Sequence, residues 1–122
     1  MTEHTFGVAE ARALIPGVLE RTAEIIRTRA DLAELAHDLR LGNPSEGGIA
    51  EAKGYEARLD ELVSWFSEAG IEIRGLAPVL IDFPSTLNGE DIQLCWLEGE
   101  LDLTWYHRPD LGFVGRRRLP EV

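Results

Sequence analysis

Residues 79–106 read VLIDFPSTLNGEDIQLCWLEGELDLTWY, and the two Xaa-Gly pairs inside this stretch decide the fold. Asn88-Gly89 is the strongest two-residue hairpin signal in the chain, and Glu98-Gly99 is a weaker one of the same kind. Two tight reversals place Leu87 opposite Glu90 and Leu97 opposite Glu100. Counting outward pairs Phe83 with Leu94, Ile81 with Trp96, and Trp96 with Leu101. Cys95 then falls beside both Asp82 and Asp102.

In this register the side chains sort by face. Val79, Ile81, Phe83, Ile92, Leu94, Trp96, Leu101, Leu103 and Trp105 share one side, and His107 extends it opposite Glu90. Asp82, Pro84, Thr86, Asp91, Gln93, Cys95, Asp102, Thr104 and Tyr106 share the other. The reading is a three-stranded antiparallel β-meander over 79–107, with Pro84 marking the first strand as an edge. Ile71-Glu72-Ile73 is either a short additional strand or a connection. Residues 108–122 read as an irregular C-terminal extension.

The apolar face needs a cover, and the N-terminal half supplies one. Over 8–40, apolar or small residues recur at steps of three and four: Val8, Ala11, Ile15, Val18, Thr22, Ile25, Arg29, Leu32, Ala36 and Leu39. Gly7 is the N-cap, with Glu10 placed to reach back to it. Pro16 removes a helical hydrogen bond and opposes the carbonyl of Arg12, so a kink or break is expected there. A second helix over 45–69 carries Ala52, Tyr55, Leu59, Leu62, Phe66 and Ala69, and Gly47-Gly48 favours its starting late in that range. Gly70 ends it with Ile71 behind. The fold class is therefore α+β, a single domain in which a long antiparallel helical hairpin packs on one face of the meander.

Charge and composition exclude several roles. Twelve Lys+Arg stand against 22 Asp+Glu, a net charge of −10, which disfavours nucleic acid and anionic membrane as partners. No apolar run is long enough to span a bilayer. The start, Met1-Thr2-Glu3-His4, lacks the features of a secretory signal. The single cysteine, Cys95, suits a reducing compartment, so a cytoplasmic location is expected.

Val79-Leu80-Ile81-Asp82-Phe83-Pro84, Asn88-Gly89, Leu94-Cys95-Trp96, Tyr106-His107 and Gly112-Phe113-Val114-Gly115-Arg116-Arg117 together carry a resemblance. With the opening Phe6-Gly7-Val8-Ala9-Glu10-Ala11 and Leu14-Ile15-Pro16, the chain resembles a bacterial family of unknown function, domain-of-unknown-function family 2203. The resemblance covers nearly the whole chain and implies no activity, substrate or cofactor.

Two groups of residues can carry chemistry. Asp82, Cys95 and Asp102 form a row across the three strands on the face away from the helices, and two carboxylates beside a thiolate suit a divalent metal, with Asp91 or the tail as a further ligand. At the sheet's rim, His107, Asp110 and Glu90 can surround a metal or small ligand. Arg116 and Arg117 can reach an anion, and Arg116 can instead fold back onto the acidic row. Because this register puts His107 on the opposite face from Cys95, a Cys–His nucleophilic pair is disfavoured. His37 reads as a surface residue, and His4 as lacking fixed structure.

These residues support two functional expectations. The first is a non-enzymatic assembly module, a homodimer in which two hairpins pair through Leu19, Ile26 and Leu35. The second is a small-ligand or metal-binding protein using the Asp82, Cys95, Asp102 row or the His107 rim. An enzyme is the least supported class, since no acid and base stand at a recognised spacing.

Overall fold

The computed structural model describes residues 4–120. Helix α1 runs from Val8 to Leu41 and helix α2 from Gly48 to Glu68, and the two pack side by side. Glu10 accepts a hydrogen bond from the Gly7 N–H at 3.3 Å, the expected reach back to the cap. The expected break at Pro16 does not occur, since α1 continues through it. The buried residues Ala11, Ile15, Val18, Thr22 and Ile25 continue through it without a change of phase. Pro16 lies on the exposed side of α1, where water can satisfy the Arg12 carbonyl that loses its partner.

Helix α2 starts at Gly48, later than Ser45, and the Gly48 N–H is held by the Ser45 hydroxyl at 3.1 Å. Gly70, at φ 86°, ends α2 by letting the Ile71 N–H return to the Phe66 carbonyl at 2.9 Å. His4 has a defined place, with Nε2 2.7 Å from Glu10 and its ring edge-on to Phe6.

The sheet has five antiparallel strands in chain order: β1 (Glu72–Leu76), β2 (Val79–Leu87), β3 (Glu90–Leu97), β4 (Trp105–His107) and β5 (Arg117–Arg118). The connection after α2 thus becomes β1, and part of the tail becomes β5. Pro84 sits in an interior strand rather than an edge one. Its missing amide proton leaves no gap, because β1 has ended at the Glu72–Asp82 pair and the Pro84 carbonyl meets the Phe6 N–H at 2.7 Å instead.

Asn88 and Gly89, at φ 52° and 80°, make the first reversal, and Leu87–Glu90, Phe83–Leu94 and Ile81–Trp96 pair as expected. Val79, Ile81, Phe83, Ile92, Leu94 and Trp96 are all buried against the helices with Phe66, Leu62, Val18 and Ile25.

The second reversal forms, with the Glu100 N–H on the Leu97 carbonyl at 3.0 Å, but the returning chain does not re-enter the ladder there. Cys95 pairs with Trp105, not with Asp102. Glu100 anchors the chain where it leaves the ladder. Its carboxylate takes the Leu97 N–H at 2.7 Å and its backbone carbonyl takes the Trp96 indole N–H at 3.0 Å, and residues 101–104 loop outward from there. Leu103 drops from that loop into the core, its carbonyl held by Arg12 at 3.1 Å.

The offset between Asp102 and Trp105 is odd, so every side chain of β4 changes face. Trp105 does not point at the helices but lies beneath the guanidiniums of Arg116 and Arg118. Tyr106 packs toward the core in its stead. Leu101 is 76% exposed. Exchange of Leu101 for serine is therefore expected to change stability by less than ~0.5 kcal/mol in a denaturant titration, whereas a core position in the regular meander would cost several times more.

Candidate metal centre

The change of face at β4 creates the site. β2 supplies Asp82, β3 supplies Cys95 directly opposite it, and β4 brings His107 onto the same outer face, one diagonal step from Cys95. One ligand atom from each of the three lies within 4.8 Å of the others. All three side chains are buried, with Asp82 and His107 at 3% and Cys95 at 1% exposure. The turn of 3₁₀ helix at Gly112–Gly115 and Pro109 roof them.

The hydrogen bonds fix which atoms face one another. His107 Nδ1 lies 2.9 Å from the Arg108 carbonyl, and a carbonyl can only accept, so Nδ1 carries a proton. In the neutral ring Nε2 then presents a lone pair, and it faces Asp82 Oδ1 at 3.1 Å. Two acceptors at that separation repel unless a proton or a cation stands between them. The second oxygen of Asp82 is held by Arg74 Nε at 3.1 Å. An imidazole oriented by a backbone carbonyl and a carboxylate oriented by a guanidinium are the outer partners that metal ligands characteristically have.

Cys95 is not an activated nucleophile in this setting. Burial pushes its thiol up to about 11, and the charge of Asp82 adds to that effect while Arg116 opposes it. Among the described residues no hydrogen bond joins the thiol to His107, whose nitrogens face the Arg108 carbonyl and Asp82 instead. In the metal-free protein the thiol pKa is raised on folding, so its contribution to stability is present below the ordinary value of 9.0 and is lost as pH rises through about 11. Chemical denaturation across that window is expected to show a fall that Cys95→Ala lacks.

The other sequence candidates lie elsewhere. Asp102 is exposed in the outward loop, lining a groove with Arg12, Pro16 and Leu19, and does not meet Cys95. Asp91 and Glu90 are exposed beside the first hairpin. Asp110 is exposed and pairs with Arg108 at 3.2 Å. Arg117 is exposed on β5 opposite Tyr106. Arg116 does fold back, but onto Glu100, which it grips through two nitrogens at 2.9 and 2.7 Å while also donating to the Cys95 carbonyl at 3.1 Å.

His107 thus leaves the rim and joins Asp82 and Cys95. Arg74, Phe113 and Glu100 carry no sequence pattern that marks them as part of a site. The available signal for the altered register is His107 itself, a polar side chain that a regular meander sets at the end of an otherwise apolar face.

The model of the Uncharacterized conserved protein family DUF2203 matches residues 4–119. The chain belongs to that family. No curated protein and no solved structure matches it. Nearly all of the α+β domain lies within the matched span, and among the described residues no helix is long and apolar enough to cross a membrane.

Proposed function

We propose that this protein binds a divalent transition metal, zinc foremost, through Asp82 Oδ1, Cys95 Sγ and His107 Nε2. The observation that carries the reading is the convergence of three buried ligand atoms of different chemistry within 4.8 Å on one sheet face. Carboxylate, thiolate and imidazole are all zinc donors, and three protein ligands leave a fourth position open. A thiolate and a carboxylate together cancel the charge of a divalent ion, so the loaded site is neutral and tolerates burial. The cation also resolves the opposition of the His107 and Asp82 lone pairs.

Zinc titration of tag-free protein against a chromophoric chelator tests this. One equivalent per chain, with affinity rising about tenfold per pH unit near neutrality as the thiol proton is released, is expected. Content well below stoichiometric in the presence of added zinc rejects the reading.

A second reading, the hairpin homodimer, rests on a changed set of residues. Leu35 is buried within the chain and Leu19 packs against its core, which leaves Ile26, Leu41 and Ile49 as the exposed apolar residues of the hairpin. Light scattering at tens of micromolar tests it, and a monomer mass removes it.

A further inference from the structure

We infer that the open side of this metal site takes a small organic carboxylate, with one carboxylate oxygen on the metal, the other on Arg74, and an apolar body under Phe113. The inference rests on the metal reading and deepens it. Above Asp82, Cys95 and His107 lies a cleft of about 340 Å³ lined further by Arg74, Leu80, Pro109, Gly112 and Phe113. That space is an order of magnitude larger than one water requires, since a water's share of liquid volume is ~30 Å³.

The lining is divided. Arg74 is its one cationic side chain, and Leu80, Pro109 and Phe113 form an apolar wall. Arg74 donates Nε to Asp82 and Nη2 to Glu72, at 3.1 and 2.9 Å. Arg74 lines the cleft, among the described residues its Nη1 has no protein partner, and the side chain is 49% exposed, so a donor remains for a ligand. With the ligand set already neutral, a monoanion in the fourth position brings one negative charge, which the guanidinium shared by Asp82 and Glu72 offsets in part. A fully hydrated dianion such as inorganic phosphate leaves the apolar wall unused and brings twice that charge. The class that matches both halves of the cleft is a monocarboxylate with an aromatic or branched aliphatic body.

Cobalt(II) serves as both ligand and reporter, because its visible spectrum and thiolate charge-transfer band respond to the fourth ligand. The cobalt-loaded full chain is titrated with benzoate, and separately with inorganic phosphate. Saturable change with benzoate, phosphate at least tenfold weaker, and tenfold or greater loss of benzoate affinity in Arg74→Gln and in Phe113→Ala at saturating cobalt are the expected results. A charge-transfer band that benzoate leaves unaltered overturns the carboxylate inference while the metal reading stands. Phosphate binding as tightly as benzoate also overturns it, since the apolar wall then selects nothing. Absence of the charge-transfer band overturns both readings together.

Discussion

Cys95→Ala is expected to lower zinc affinity about 10³-fold and to abolish the zinc-dependent rise in Tm. Thiolate is the softest and most strongly zinc-seeking donor of the three, and its loss leaves a carboxylate and an imidazole, a pair that binds zinc weakly when buried. In the unsubstituted protein, free zinc at a hundred times Kd is expected to stabilise the native state by ~2.7 kcal/mol, which for a domain of this size is a rise of about 10 °C. Differential scanning calorimetry with zinc and then with excess chelator reads this directly. In the variant, the zinc and chelator traces superimpose.

Cys95→Ala removes a buried thiol that packs without a charged form at neutral pH, so the metal-free variant is expected to remain folded, and its calorimetric trace in chelator is the control. If Cys95→Ala retains unsubstituted zinc affinity while His107→Ala also does, the cluster is a packed polar contact and not a metal site.

Glu98→Ala is expected to destabilise the protein by about 3 kcal/mol, the second large effect and one independent of any metal. Glu98 sits just after β3, and its carboxylate joins three elements. Arg29 of α1 donates to it from two nitrogens at 2.7 and 2.8 Å, and the Val79 N–H at the start of β2 donates at 2.9 Å. Arg29 also holds the Leu76 carbonyl at the end of β1 at 2.7 Å. The pair is mostly shielded, with Arg29 28% and Glu98 20% exposed.

Truncation leaves a guanidinium and a backbone amide without their partner, and it is the orphaned groups that carry most of the cost. Urea denaturation of Glu98→Ala, Arg29→Ala and the double variant measures the coupling, and a double variant no worse than either single one is the expected pattern. Hydrogen bonding from Arg29 holds the Glu98 carboxyl below its ordinary 4.5. The stability it confers is therefore present above pH 4.5 and lost as pH falls through the lower folded value, so the deficit of Glu98→Ala shrinks in acid. An equal deficit at neutral and strongly acid pH contradicts the ion-pair account.

The role of Arg29 is half visible in the sequence. It recurs at a core-facing helical position between Ile25 and Leu32, where a charged residue needs a partner, yet nothing local points to Glu98, whose only sequence signal is its place in a turn. The same holds for Glu100. A two-residue Xaa-Gly hairpin loop of the Asn88-Gly89 kind needs a positive φ at both residues, and at the second reversal Gly99 has one, at 102°, while Glu98 does not. The path of the chain beyond that loop is settled by a carboxylate that captures the Leu97 amide and by Arg116 returning from sixteen residues away.

Periodicity and turn chemistry by themselves determined the two helices, their hairpin, the β2–β3 register about Asn88-Gly89 and the apolar face of those strands. These are properties of neighbours along the chain, and local dihedral preference with alternation of burial is enough to specify them. The tertiary structure alone decided that Pro16 stays inside a continuous helix, that the sheet gains strands from both flanks, and that β4 presents His107 beside Asp82 and Cys95 rather than beside Glu90. The face shown by β4 depends on whether an odd or an even number of residues leaves the ladder. That parity was set by the bonds Glu100 makes to Leu97 and Trp96 together with Arg116 closing on it from sixteen residues away, a combination that alternation and turn propensity do not encode.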